Sequence, residues 1–298
     1  MFILKKHLGL KILALAVLSI LILTGCSSKS AKNKGINVTS SIDFYGNTAQ
    51  SVLGKYGTVH SIINNPDVDP HSYTPTPQVS ESVAKSKDVI YNGIGYDTWI
   101  NKMLNNSNND SVNVGKLMGK GDNDNPHIWY NSQTMVKLAN TLADKFGKQD
   151  PKHKAQFKAN AKKYINSLKP IHKKIAQLKQ NRKKSVVDVS EPVFDYALQE
   201  MGYQVNDSGF AKAIEKEADP TPSEIKGIQN DINHHKIAFF VKNIQTDDKV
   251  VNHLSDLAAQ KHIPVLKVTE SMPRGMNYQQ WMMSQYNQLA KIQRSETK

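Results

Sequence analysis

The sequence predicts an α/β fold of two lobes, each a mostly parallel sheet flanked by helices, joined by one long connecting helix. Strand-like runs rich in valine and isoleucine alternate with helical segments, which is the pattern of α/β architecture. The run at 237–241 is entirely apolar, as expected of a strand that is covered on both faces in a parallel sheet. A single helical stretch at 151–184 separates the strands of the two halves.

Length and composition set the outer limits. The chain has 298 residues, 39% of them hydrophobic, which is enough for one large domain or for two lobes with separate cores. A charged fraction of 22% is not a disordered composition. The formal net charge of +13 indicates either a solvated lysine-rich surface or contact with anionic lipid headgroups or wall polymers. We expect no nucleic-acid partner.

The N-terminus predicts a secretory signal. Lysines 5, 6 and 11 precede or enter an apolar segment whose uncharged part, 12–23, is too short to cross a bilayer comfortably. It ends in Leu23-Thr24-Gly25-Cys26, which resembles a bacterial lipobox. Residues 1–25 are then a signal peptide, and Cys26 is the site of lipidation. The alternative is an incidental thiol. Residues 26–35 are rich in serine, lysine and asparagine and predict a tether.

The predicted lobes cover 36–150 and 185–298. Strands are expected at 36–44, 58–64, 88–92, 112–115, 185–190, 236–242 and 264–269. Helices are expected at 76–85, 132–147, 247–261 and 275–293, and another begins after Thr221. Thr76-Pro77 is a typical N-cap with proline at the first helical position, and Thr221 with Glu224 forms a capping-box pattern.

The stretch at 151–184 carries twelve lysines and arginines and no acidic residue. Apolar residues recur along it near helical spacing, and Pro170 can bend it. A helix of this length spans about 45 Å or more, which is more than one lobe needs. We interpret it as a connector between the lobes. A coiled coil or a wall-binding helix is the alternative.

Four metal-competent side chains follow predicted strands. His71 and His127 each come directly after a proline, and Glu191 and Glu270 lie at the ends of strands in the second half. In open α/β sheets, ligands bind beyond the carboxyl ends of the strands. Two residues from each half therefore predict a site in the cleft between the lobes. Taken singly, each histidine also fits a surface or packing role, and each glutamate fits a helix N-terminal charge.

Longer motifs make the chain similar to a known family, the metal-binding solute-binding lipoproteins of ABC importers (cluster A-I, for manganese and zinc). They are DPHSYTPTP at 69–77, DVIYNGIG at 88–95, PHIW at 126–129, SEPVFDY at 190–196 and DPTPS at 219–223. The resemblance implies that His71 and His127 bind the metal and that Glu191 is the third ligand. The fourth ligand in the family is usually an aspartate after the last strand, where this chain has Glu270.

The resemblance also implies a function. The chain would be the extracytoplasmic, lipid-anchored component that passes Mn²⁺ or Zn²⁺ to a membrane permease with a cytoplasmic ATPase. We expect a monomer that is held to membrane lipid through Cys26. Two imidazoles and two carboxylates neutralise a dication, and oxygen-rich donors suit manganese, although zinc has the higher intrinsic affinity. Asp69 or Asp195 would orient the imidazoles.

Two other functions are possible. An extracellular metallohydrolase would need a further acid or base at the metal, and the sequence has no HExxH motif. A surface adhesin would use the basic helix. We therefore expect a binding protein and not an enzyme.

Overall fold

The computed structural model describes residues 35–105 and 109–295, which contain two sheets of four strands. In the first half the strand order is β2-β1-β3-β4, and all neighbours are parallel. The strands are β1 (Ile36–Ile42), β2 (Gly57–Ile63), β3 (Asp88–Tyr91) and β4 (Asp110–Asn113). The last strand ends where Asn113 caps a short helix, two residues before the predicted end. The predicted signal peptide, Cys26 and most of the tether lie outside the described residues.

The second half repeats the arrangement. Its order is β6-β5-β7-β8, again with parallel neighbours throughout. The strands are β5 (Val186–Val189), β6 (Gln204–Val205), β7 (Phe240–Asn243) and β8 (Val265–Val268). Parallel order places the carboxyl ends of the strands of one sheet at one edge, where a ligand site is expected.

Helices cover the sheets. They are α1 (Asp43–Leu53), α2 (Pro77–Lys85), α3 (Trp99–Leu104), α4 (Val114–Leu117), α5 (Thr134–Gln149), α6 (Lys154–Ser167), α7 (Lys169–Asn181), α8 (Asp195–Glu200), α9 (Ser208–Glu215), α10 (Pro222–Asn233), α11 (Lys249–Gln260) and α12 (Tyr278–Ser295). Thr76 accepts from the N–H of Val79, and Thr221 and Glu224 form both bonds of a capping box, as predicted. No described helix combines the length and the hydropathy needed to cross a bilayer.

The connecting segment is helical over α6 and α7, with an interruption at Leu168. Pro170 lies at the start of α7, where its missing N–H costs no hydrogen bond. The apolar stripe packs inward: Phe157, Ala161, Leu168, Ile171 and Leu178 are all buried. The predicted α/β fold with two parallel sheets and a long helical connection is confirmed.

The two halves share a hydrophobic core. Aromatic side chains meet across the boundary: the ring of Phe44 lies 5.7 Å from that of Trp281, and Tyr130 lies 5.0 Å from Phe194. Residues Ile36–Lys298 accordingly form one compact unit. Rings packed at these distances bury a large apolar area, so the halves are held together by more than the connecting helix.

Candidate metal centre

Three of the four predicted ligands meet in the cleft between the sheets. One ligand atom from each of His71, His127 and Glu270 can be chosen so that all lie within 4.8 Å of one another. Oε1 of Glu270 is 3.6 Å from Nε2 of His71 and 3.9 Å from Nε2 of His127. His127 is 1% exposed, Glu270 16% and His71 34%. The histidines come from loops of the first half and the carboxylate follows β8, as the sequence predicts.

Two of these atoms lack a hydrogen-bond partner. Nε2 of His127 and Oε1 of Glu270 are both buried and unpaired within the described part of the chain. Buried polar atoms are nearly always satisfied, so an unpaired pair only 3.9 Å apart needs an explanation. The imidazole lone pair and the carboxylate oxygen that face each other are both electron donors. A metal cation is an acceptor that both can bind.

The loop before His127 fixes the orientation of its ring. The Asn125 side-chain oxygen accepts from the backbone N–H of His127 at 2.9 Å and lies 2.8 Å from its Nδ1. Asn92 donates to the carbonyl of Pro126 at 3.0 Å, which ties the loop to the end of β3. An amide oxygen at Nδ1 makes this nitrogen the protonated one, and Nε2 then keeps its lone pair for a metal. The expected orienting role of Asp69 or Asp195 at this ring is filled by Asn125.

The loop of His71 is built differently. Asp69 accepts from the backbone N–H groups of His71 at 2.8 Å and Ser72 at 3.3 Å. Trp99 donates from its indole nitrogen to the carbonyl of Pro70 at 3.1 Å. Asp69 therefore stabilises the backbone turn that carries His71. Its hydrogen bonds go to that backbone and not to the imidazole ring.

Burial and charge set the protonation states. Burial lowers the pKa of His127 to about 4, so the ring is neutral at neutral pH. Burial raises the pKa of Glu270, but the neighbouring imidazoles of His71 and His127 outweigh it and lower this pKa overall. Burial lowers the pKa of His71, while the neighbouring carboxylate of Glu270 raises it, with a raised pKa as the result. A neutral imidazole beside an ionised carboxylate is a metal-ready donor pair.

Glu191 lies in the same cleft but outside the group of three. Its Oε2 accepts from Asn243 at 2.7 Å and from Thr246 at 2.5 Å. The carboxylate is 9% exposed, and burial raises its pKa. Both hydrogen bonds fall on Oε2, and the residue lines the cleft.

A further carboxylate was missed by the sequence reasoning. Oε1 of Glu215 is 3.8 Å from Nδ1 of His127, and the side chain is 16% exposed. Burial raises the pKa of Glu215 to about 7. Glu215 is the last residue of helix α9. A search for ligands at the carboxyl ends of strands therefore does not find it.

The cleft around these groups is wide and acidic. It encloses about 1480 Å³ and is lined from both halves of the chain. Twelve carboxylate side chains and two lysines line it, in a chain of net charge +13. The carboxylates are Asp67, Asp69, Asp122, Asp124, Glu191, Asp195, Glu215, Glu217, Asp219, Asp247, Asp248 and Glu270. Such a lining attracts cations and repels anions.

Comparison with known proteins finds relatives that match most of the chain. The metal ABC transporter substrate-binding lipoprotein SloC of Streptococcus mutans is 26% identical, over 83% of this chain and 85% of its own length. The manganese ABC transporter substrate-binding lipoprotein PsaA of Streptococcus mitis is 24% identical, over 91% of this chain and 93% of its own.

Among solved structures, the periplasmic zinc-binding protein TroA of Treponema pallidum superposes with a TM-score of 0.73 at 15% identity. The match covers 87% of this chain and 99% of TroA, and it shows a common fold. The family model for the zinc-uptake complex component A, periplasmic, matches residues 38–292. The chain therefore belongs to the family of the periplasmic component A of zinc-uptake complexes.

Proposed function

We propose that this chain is the extracytoplasmic substrate-binding component of a metal ABC importer. It captures Mn²⁺ or Zn²⁺ in the cleft and delivers the ion to a membrane permease served by a cytoplasmic ATPase. The observation that carries the proposal is the facing pair of unpaired donors, Nε2 of His127 and Oε1 of Glu270. The metal is the cargo, and the family membership agrees with a transport component and not an enzyme.

His71, His127, Glu191 and Glu270 are the proposed ligands. In a tetrahedral site with metal–ligand bonds of about 2.0–2.2 Å, neighbouring donor atoms lie about 3.3–3.6 Å apart. The separations of 3.6 and 3.9 Å found here need to shorten by only a few tenths of an ångström. Glu191 would join through Oε1 while Asn243 and Thr246 hold Oε2, a common arrangement for a ligating carboxylate.

The donor set explains how the ion is held. Two carboxylates and two neutral imidazoles give a nearly neutral buried site with a dication. Four protein ligands leave no open position for activating water, which supports binding over hydrolysis. The same set fits manganese and zinc, because imidazole and carboxylate serve both.

Site variants with matched controls test the proposal. His127→Ala and Glu270→Gln are compared with His60→Ala, an exposed histidine on β2, and Asp219→Asn, an exposed carboxylate of the cleft wall. Titration calorimetry with Mn²⁺ and with Zn²⁺ should show affinities lower by roughly 100-fold or more in the first pair. The controls should bind like the parent. Equal affinity in all four variants would disprove the site.

Elemental analysis of protein purified without added metal identifies the ion. A stoichiometric content of manganese or of zinc decides between the two, and a metal-free protein that also fails to bind either ion in the titration contradicts the proposal. Cys26→Ala tests the proposed anchor separately: the variant should leave the membrane fraction while its metal affinity stays unchanged.

A further inference from the structure

A continuous basic surface runs along the connecting segment. Between residues 151 and 184 there are twelve lysines and arginines and no acidic residue. Helices α6 and α7 bury their apolar stripe against the rest of the fold and turn the remaining positions to solvent. We call the solvent-facing lysines of 151–184 the basic ridge.

Neighbouring elements do little to neutralise the basic ridge. Lys158 pairs with Asp144 at 3.4 Å, and both side chains are more than half exposed. Lys162, Lys169 and Lys173 are exposed and form no ion pair within the described part of the chain. The spacing of four residues places Lys169 and Lys173 on one face of α7, and Lys162 lies on α6, before the interruption at Leu168. Exposed lysines in a row create a positive potential that suits an extended anionic partner.

The basic ridge is separate from the metal site. None of the residues that line the cleft comes from 151–184. The cleft is lined by twelve carboxylates and two lysines, so the two surfaces carry opposite charge. A polyanion is therefore attracted electrostatically to the basic ridge and repelled by the cleft.

The chain enters the described fold beside one end of the ridge. Ile36 pairs with Gly57 in the sheet, and the adjacent Tyr56 stacks on His153 with ring centroids 4.2 Å apart. His153 directly precedes α6. Ten residue steps separate Cys26 from Ile36, which fully extended reach about 35 Å at most. A lipid on Cys26 would thus hold the start of the ridge within reach of the bilayer surface.

We infer that the basic ridge docks on an anionic phospholipid bilayer. The inference uses one part of the proposed function, the lipid anchor, and only for proximity. It does not depend on the metal site. A lysine near an anionic membrane surface strengthens binding roughly fivefold, so several in a row give measurable docking without the lipid.

The test uses vesicle co-sedimentation of residues 27–298, because Ile36–Lys298 form a compact unit of their own. Vesicles of phosphatidylglycerol with phosphatidylcholine are compared with pure phosphatidylcholine. The ridge variant carries Lys162, Lys169 and Lys173→Glu. The matched control carries the same charge change on exposed lysines of the second half, Lys226, Lys261 and Lys267→Glu.

The expected result is binding of the parent chain to the anionic vesicles alone, with weaker binding at higher salt. The ridge variant should bind roughly 100-fold less, and the control should bind several-fold more tightly than the ridge variant. Equal losses in both variants would show that net charge decides and would overturn the inference. So would binding to soluble polyphosphate with no binding to vesicles. Unchanged Mn²⁺ and Zn²⁺ affinity in both variants separates this outcome from failure of the metal site.

Discussion

Asp188 gives the sharpest stability prediction in the structure. It lies in β5 in register with Phe240, a residue of the smaller hydrophobic cluster of the second half. The flanking Val187 and Val189 point to the main core. Asp188 is 0% exposed, and neither carboxylate oxygen has a hydrogen-bond partner within the described residues. A carboxylate in such a place is held far from water and unpaired, so the neutral acid is favoured.

The magnitude follows from the shift in pKa. Burial, with the nearby charge of Asp231, raises the pKa of Asp188 from 3.8 to about 7. The folded state then holds a proton that the unfolded chain releases above about pH 4. The resulting stabilisation is complete below the unfolded pKa and is lost as the pH rises through about 7. Between pH 5 and pH 8 this group alone costs up to about 2.7 kcal/mol of stability.

Asp188→Asn removes the ionisation and keeps the shape. The stability of the variant relative to the parent should rise by about 2–3 kcal/mol between pH 5 and pH 8, which is about 4–12 °C in Tm. Thermal unfolding followed by circular dichroism at both pH values measures the difference. Asp256→Asn, an exposed position on α11, is the control and should have no effect. Equal destabilisation of Asp188→Asn at both pH values would refute the reasoning, because it would mean that the carboxylate is ionised and paired in the folded protein.

Three further predictions concern the site and the fold. Metal affinity should fall as the medium is acidified, because Glu270 keeps the pKa of His71 raised and the metal needs the neutral imidazole, while burial holds the pKa of His127 near 4; an affinity that does not change with pH in calorimetric titrations would contradict this. Glu215→Gln should weaken metal binding roughly tenfold, as expected of a carboxylate beside a ligand and not on the metal; a loss as large as that of Glu191→Gln would make it a ligand. Thr221→Ala should destabilise the protein by about 1 kcal/mol in urea unfolding, because the hydroxyl that accepts from the backbone N–H of Glu224 is lost; an unchanged midpoint would count against the cap.

Local rules predicted what depends on neighbouring residues. The strands are apolar runs bounded by turns, and the caps at Thr76 and Thr221 are carried by residues within three positions. His71, His127 and Glu270 were found because parallel strands bring their carboxyl ends to one edge. The interruption at Leu168 fits the rule that proline belongs in the first turn of a new helix.

Contacts between distant segments were beyond such rules. The sequence correctly placed Glu191 after β5. The orientation of its side chain, however, depends on Asn243 and Thr246, which lie more than 50 residues further along the chain. Glu215 approaches His127 from the end of a helix, and nothing in its own segment indicates this. The predicted helix start at Ser132 fails for a similar reason: the backbone N–H of Ser132 donates to Glu200, a partner in the other half, and α5 begins at Thr134.

The contacts between the halves also explain why the site is organised before metal arrives. The hydroxyl of Tyr130 donates to the carbonyl of Thr269 at 2.5 Å. Tyr130 is three residues after His127, and Thr269 directly precedes Glu270, so one hydrogen bond joins the two loops that carry the facing donors. Aromatic rings of the shared core pack beside this bond, since the ring of Tyr130 makes edge-to-face contacts with Trp281 and Phe194. Opening the halves like a hinge would break both the bond and the aromatic packing. Metal capture is therefore expected to proceed through shifts of single side chains, with Glu191 turning toward the ion, rather than through closure of one lobe on the other.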